Sequence, residues 1–177
     1  MSFAVAVAPG ATQAVTANDK AVGGDSGGVG QGYDITLAHS GLMDGLNVFG
    51  GISNIEQANA TTDGATDDRT QWVAGATYAV GSVTVGYQQS VDNFNATSGA
   101  TTQYYENTAY GMSFQVNDDF SVSYGVHESE RGLVHNGTTN PVEIKAESLQ
   151  LSYTMGGMSV KFAESSVDNA SYTAGSA

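Results

Sequence analysis

Tyr110-Gly-Met112-Ser-Phe114-Gln-Val116, then Asn117-Asp-Asp119, then Phe120-Ser-Val122-Ser-Tyr124-Gly-Val126 is the stretch that decides the fold. Large apolar residues fall at every second position with Gly, Ser or Gln between them, which is the period of a strand with two unlike faces. The Asn-Asp-Asp interruption is turn chemistry, so the segment reads as two strands and a short turn. The rhythm recurs in Leu149-Gln-Leu151-Ser-Tyr153-Thr-Met155, Gly156-Gly157, Met158-Ser-Val160-Lys-Phe162, where the glycine pair suits a tight primed hairpin. Upstream, Trp72 to Val80 passes through Gly81-Ser82 into Val83-Thr-Val85-Gly-Tyr87, and Tyr33-Asp-Ile35-Thr-Leu37 passes through Gly41 to Gly45 into Leu46-Asn-Val48. In Met1 to Ala8, Phe3, Val5 and Val7 alternate with Ala, which brings the expected count to nine strands. No convincing apolar i, i+3, i+4, i+7 pattern competes with this reading.

Composition narrows the class. The 177 residues hold 5 Lys+Arg against 18 Asp+Glu, a formal charge of -13, which argues against a binder of nucleic-acid phosphates. Twenty-three glycines with two prolines and no cysteine fit neither collagen nor a disulfide scaffold nor a zinc finger. Only 13% of residues are charged, where a soluble domain has about a quarter, so the polar surface is made of Ser, Thr, Asn, Gln and Gly. No run approaches the roughly 18 apolar residues of a membrane helix. Met1 to Gly10 has no basic n-region and does not read as an intact secretory signal; either a signal has been removed or the chain begins inside a longer one.

The connections alternate in length. Those at Gly41 to Gly45, Gly81-Ser82, Asn117 to Asp119 and Gly156-Gly157 are tight; those at Pro9 to Gly30, Ala58 to Thr70, Asn93 to Gln103, Gly132 to Val142 and the tail from Asp168 are long and polar. All tight turns therefore fall at one end of the array, the wiring of an antiparallel up-and-down transmembrane β-barrel. One face is small or neutral polar (Thr84, Gly86, Gln88, Ser113, Gln115, Ser121, Ser123, Gly125, Ser148, Gln150, Ser152) and suits a water-filled lumen. The other carries Met112, Phe114, Val122, Leu149, Leu151 and Val160 toward lipid, with aromatic girdles from residues such as Trp72, Tyr87, Tyr110, Tyr124 and Phe162.

The segments Tyr110 to Gly125 and Leu151 to Glu164 resemble the C-terminal half of Gram-negative general porins, particularly those of marine alphaproteobacteria. The resemblance covers nearly the whole chain in strand-turn-strand rhythm, through motifs of moderate specificity. It implies a homotrimeric outer-membrane barrel of about 16 strands, a passive channel for small hydrophilic solutes and ions, in contact with lipid and lipopolysaccharide. The chain departs from the family in its count of nine strands and in ending at Ala177 in a Ser-Tyr-Thr-Ala-Gly-Ser segment, not in a strand closed by an aromatic residue. An odd antiparallel meander cannot close on itself with antiparallel pairs throughout, so residues 1–177 read as one partial barrel segment without upstream strands, the closing strand or the constriction loop.

Several short motifs bear on chemistry. Gly24-Asp25-Ser26-Gly27-Gly28 matches the nucleophile loop of chymotrypsin-like proteases, but His39, His127 and His135 all follow the serine, and a Gly-rich coincidence is the better reading. Glu56, Asp63, Asp67 and Asp68 form an acidic stretch that fits no EF-hand spacing and reads as a solvated loop, with a bridging divalent ion as the weaker alternative. Asn59, Asn95, Asn136 and Asn169 open glycosylation sequons of a length that arises by chance in an Asn/Thr-rich chain. No catalysis, metal or cofactor is expected. The expected pore-lining residues are Asp34, Gln88, Gln115, His127, Arg131, Gln150 and Lys161, with Asp34, Arg131 and Lys161 setting the field across the pore. Two other readings remain open: a secreted β-sandwich or adhesin-like module binding glycans, and a complete eight-stranded anchor should Met1 to Ala8 not be a strand.

Overall fold

The computed structural model describes residues 1–9, 31–56, 68–95, 102–133 and 142–176. Nine strands follow one another as β1 (Ser2–Ala8), β2 (Gly32–His39), β3 (Leu46–Ile55), β4 (Arg69–Val80), β5 (Val83–Asn93), β6 (Thr102–Asn117), β7 (Phe120–Leu133), β8 (Glu143–Met155) and β9 (Met158–Asp168). They form a single antiparallel sheet in sequence order, with β1 and β9 as its two edges. Met1 to Ala8 thus supplies a strand, which removes the premise of an eight-stranded barrel.

The turns are built as the sequence predicts. Val80 pairs with Val83, and Met155 with Met158, each across two residues. Gly156 and Gly157 both take positive φ (55° and 85°), as a primed two-residue turn needs to follow strand twist. At the β6–β7 turn the Asn117 side-chain oxygen accepts from the backbone N–H of Asp119 and of Phe120, both at 2.9 Å, closing an Asx turn. The acidic-stretch residues Asp63 and Asp67, the Gly24 to Gly28 motif and the sequons at Asn59 and Asn136 lie outside the described residues.

Register fixes the faces. Across β5 to β8, Val85, Met112, Tyr124 and Leu149 stand side by side, as do Val83, Phe114, Val122 and Leu151. Phe3, Leu37 and Gly50 continue the same face at the other end of the sheet. No second layer covers this apolar face among the described residues. Val126, 5% exposed, is their one buried apolar side chain, while Met112, Val160 and Phe162 are more than half exposed (52%, 53% and 55%).

The opposite face is concave. Residues from Phe49 on β3 to Val167 on β9 line one trough of about 580 Å³. Gly86, Gly111 and Gly125 lie next to one another across β5, β6 and β7 at its centre, where side chains on a curling sheet would converge. Phe49 reaches into the same trough, and its ring occupies the space a β-carbon on Gly75 would need, 2.5 Å from Phe49 Cζ.

Candidate functional site

All seven residues expected to line a pore share the concave face. One register line joins Arg131, Tyr105, Asp92, Gln71, Ser53 and Asp34 across β7 to β2. A second joins Gln88, Ala109 and His127. A third, nearer the tight turns, joins Gln115, Ser121, Ser152 and Lys161, with Gln150 beside Ser123 one pleat away. Gln115 serves its own turn: its amide donates to the carbonyl of Asn117 at 2.6 Å. The Gln150 amide lies 3.4 Å from Ser148 Oγ, at the outer limit of a hydrogen bond.

A belt of side-chain contacts that local patterning does not reveal crosses this face. Arg69 on β4 donates from Nε to Asp92 Oδ1 on β5 at 2.7 Å and pairs through Nη2 with Oδ2, a two-pronged clamp. Gln71 adds a third donor to the same carboxylate at 3.0 Å. The Arg69 guanidinium also lies 4.2 Å from the centroid of the Phe94 ring. Phe94 meets Tyr105 edge-on at 6.1 Å, and Tyr105 meets Tyr172 at 5.6 Å. Arg131 closes the far end, 4.8 Å from the Tyr172 centroid.

Tyr172 comes from the tail. Residues Ala170–Tyr172 form a 3-10 turn, where a plain loop is expected from sequence. The turn folds back so that the Tyr172 hydroxyl and Ser129 Oγ lie 2.7 Å apart. Ser129, 6% exposed, gives its one hydroxyl hydrogen to Asn107 Oδ1 at 2.7 Å, so Tyr172 is the donor in their pair. Asn169 anchors the turn: its amide donates to the Glu143 carbonyl at 2.9 Å and its side-chain oxygen accepts from Gly175 N–H at 2.9 Å.

A second hollow of about 470 Å³ sits between β2 and β6, lined by Asp34, Thr36, Ser53, Gln71, Asp92 and Asn107 among others. Its walls mix these hydroxyl, amide and carboxylate groups with the apolar side chains of Ile52, Trp72, Val73 and Val91. Among the described residues no three His, Cys, Asp or Glu side chains gather as a metal site. Comparison of the chain with known protein families and with curated proteins finds no match.

The convex face changes character toward the long-loop end. There Tyr104 donates to Glu130 at 2.7 Å, Gln89 to Glu106 at 2.6 Å, and Lys145 pairs with Glu147 at 2.8 Å. The apolar residues give way to a carboxylate-rich border along this edge.

Proposed function

We propose that the chain forms the wall of a transmembrane β-barrel channel of the porin kind, passing small hydrophilic solutes and ions down their gradients. The observation that carries the reading is a nine-stranded single-layer sheet with an exposed apolar convex face and a concave face made largely of Gly, Ser, Thr, Asn and Gln positions. In water such a face would be covered by a second sheet or by helices. Lipid is a solvent that leaves it favourable uncovered.

The slope of the apolar band supports the same reading. On β3 the band ends at Asn54, and on β9 it ends at Glu164. The register line through Glu164 runs by way of Leu149, Tyr124, Met112, Val85 and Tyr78 to Leu46, eight residues from Asn54 on β3 after six strand steps. With a rise of about 3.3 Å per residue and a strand spacing of about 4.8 Å, eight residues in six steps slope the border by roughly 40°. Transmembrane barrels tilt their strands by about 35–45°. A border kept level in the membrane plane therefore gives these strands barrel-like tilt. β4 to β9 hold between 11 and 16 residues, enough to span a bilayer at that angle, which takes about 9–11.

Unpaired strand edges are costly in hydrocarbon, so β1 and β9 require further strands to complete the barrel. The porin resemblance extends the proposal to a homotrimer in a Gram-negative outer membrane, bordered by lipid and lipopolysaccharide. The test is folding of the protein with and without lipid vesicles, followed by bilayer conductance. Folding that needs vesicles and then yields stepwise currents supports the reading. A monodisperse, folded protein in plain buffer, with vesicles left ion-tight, overturns it.

A further inference from the structure

We infer that the concave face across β6 to β9 is a surface for small oxyanions, carboxylates or phosphates, although the chain as a whole carries a formal charge of -13. The inference rests on the channel reading for its biological use, but its physical basis is the separation of charge between the two faces.

Register parity assigns every strand charge to one side. The convex face takes Glu106, Glu128, Glu130, Glu143, Glu147, Glu164 and Asp168 against a single cation, Lys145. The concave face takes Arg69, Arg131 and Lys161 against Asp34 and Asp92. Three cations against two acids leave the concave strands at +1, while seven acids against one cation leave the convex strands at -6. Within the concave face the division is sharper still. Asp92 is neutralised by Arg69, and Asp34 stands on β2 near the far edge. Register places every carboxylate of β6 to β9 on the convex side of its strand, with Glu147 alone among them at the border of the trough.

The two cations of this half bracket the trough. Lys161 shares a register line with Ser121, ten residues from Arg131 along β7, which is about 33 Å of strand. Between them lie Ser123, Gly125, His127 and Ser129, with Ser148 and Gln150 alongside. An anion moving along this wall meets the side chains of Ser123, His127, Ser148 and Gln150, each able to donate a hydrogen bond, a cation at each end, and Glu147 as the one like charge at the border. The field is screened over about 8 Å in physiological salt, less so inside a low-dielectric trough, so each cation acts locally.

The chain has no cysteine, so a single introduced thiol reports local potential. Gln150→Cys places it on the exposed concave face, and Gln88→Cys places one in the neutralised half. Each variant, folded in detergent or vesicles, is reacted with an anionic and a cationic methanethiosulfonate of similar size. At Gln150→Cys the anionic reagent should react at least about threefold faster, and adding Lys161→Gln should bring the ratio near one. At Gln88→Cys the ratio should start near one. Equal rates, or a faster cationic reagent, at Gln150→Cys overturn the inference. Ser123→Cys repeats the measurement if Gln150→Cys fails to fold. The two proposals fail separately: an anion-preferring thiol in ion-tight vesicles removes the channel and keeps the anion surface. A conducting channel with a cation-preferring thiol does the reverse.

Discussion

The convex and concave faces are drawn from the same strands and the same register, yet neighbours in the chain live in opposite environments. Val122 stands among Phe114 and Leu151; Ser123, the next residue, stands among Ser113 and Gln150. In a globular core the cost of a substitution follows depth. In a single-layer sheet it follows parity, because each residue answers to the solvent on its own side. Chain neighbours should therefore respond in opposite ways to the same substitution.

The largest effect should come from placing the same charge on both sides. Val122→Arg puts a guanidinium on the convex face, where lipid would exact about 2–4 kcal/mol at the midplane. Ser123→Arg puts it in the trough, where the change should stay within about 0.5 kcal/mol. Denaturant titration of the two variants in vesicles measures the difference. Equal midpoints would mean that the two faces meet the same solvent.

The central glycines sharpen the comparison within the concave face. A β-carbon on Gly111 would lie 2.7 Å from the Tyr124 carbonyl oxygen, whereas one on Gly125, its register partner, would meet nothing nearer than 3.9 Å. Gly111→Ala should therefore cost about 1–3 kcal/mol through overpacking. Gly125→Ala should stabilise by up to about 1 kcal/mol, since the strand loses only the flexibility of glycine. Unfolding midpoints on either side of the parent would bear this out; a shared sign would show that strand approach is not what selects these glycines.

Much of this was legible from Tyr110 to Val126 and its echoes. Alternation located the strands, the Gly-Gly, Gly-Ser and Asn-Asp-Asp interruptions located the turns, and parity counted from Phe120 or Met158 put His127, Arg131 and Lys161 on one face with Gln115 and Gln150. The belt was not legible, for a physical reason. Arg69 and Asp92 are 23 residues apart, and Ser129 and Tyr172 are 43 apart, so only strand registry and the folded tail bring them together. Arg69 lies in the polar stretch Ala58 to Thr70 and Phe94 in the polar stretch Asn93 to Gln103, where composition favours loops. A usable signal did exist: extending the β4 alternation back by three residues from Trp72 puts Arg69 on the face opposite it. Phe49 lies one residue past the clear alternation of Leu46-Asn-Val48, so the same extension along β3 would reach it.

Ion pairs on the two faces should differ as well. Arg69 and Asp92 form a two-pronged, half-buried pair with Gln71 as a third partner, whereas Lys145 and Glu147 are more exposed and meet through a single contact, with Tyr124 as the further partner of Glu147. A double-mutant cycle with Arg69→Gln and Asp92→Asn should return a coupling of about 1 kcal/mol, and one with Lys145→Gln and Glu147→Gln about 0.5 kcal/mol or less. The convex coupling should vanish first as salt is raised, because exposed pairs are screened more than half-buried ones.

The smallest effect should be the most local. Tyr172→Ala removes a ring that lies between Tyr105 and Arg131 and takes away the donor to Ser129. An aromatic contact of this kind is worth about 0.5–1.5 kcal/mol. Yet the tail is held independently by Asn169 and adds little to the sheet's ladder, so global unfolding should barely move. What should move is amide exchange at Ser129 to Leu133, where protection would fall as the turn lifts off the concave face. Tyr172→Phe separates the two contributions: it keeps the ring and loses only the hydroxyl. If it behaves like Tyr172→Ala, the bond to the buried Ser129 seats the tail. If it behaves like the parent, the stack from Phe94 to Arg131 does.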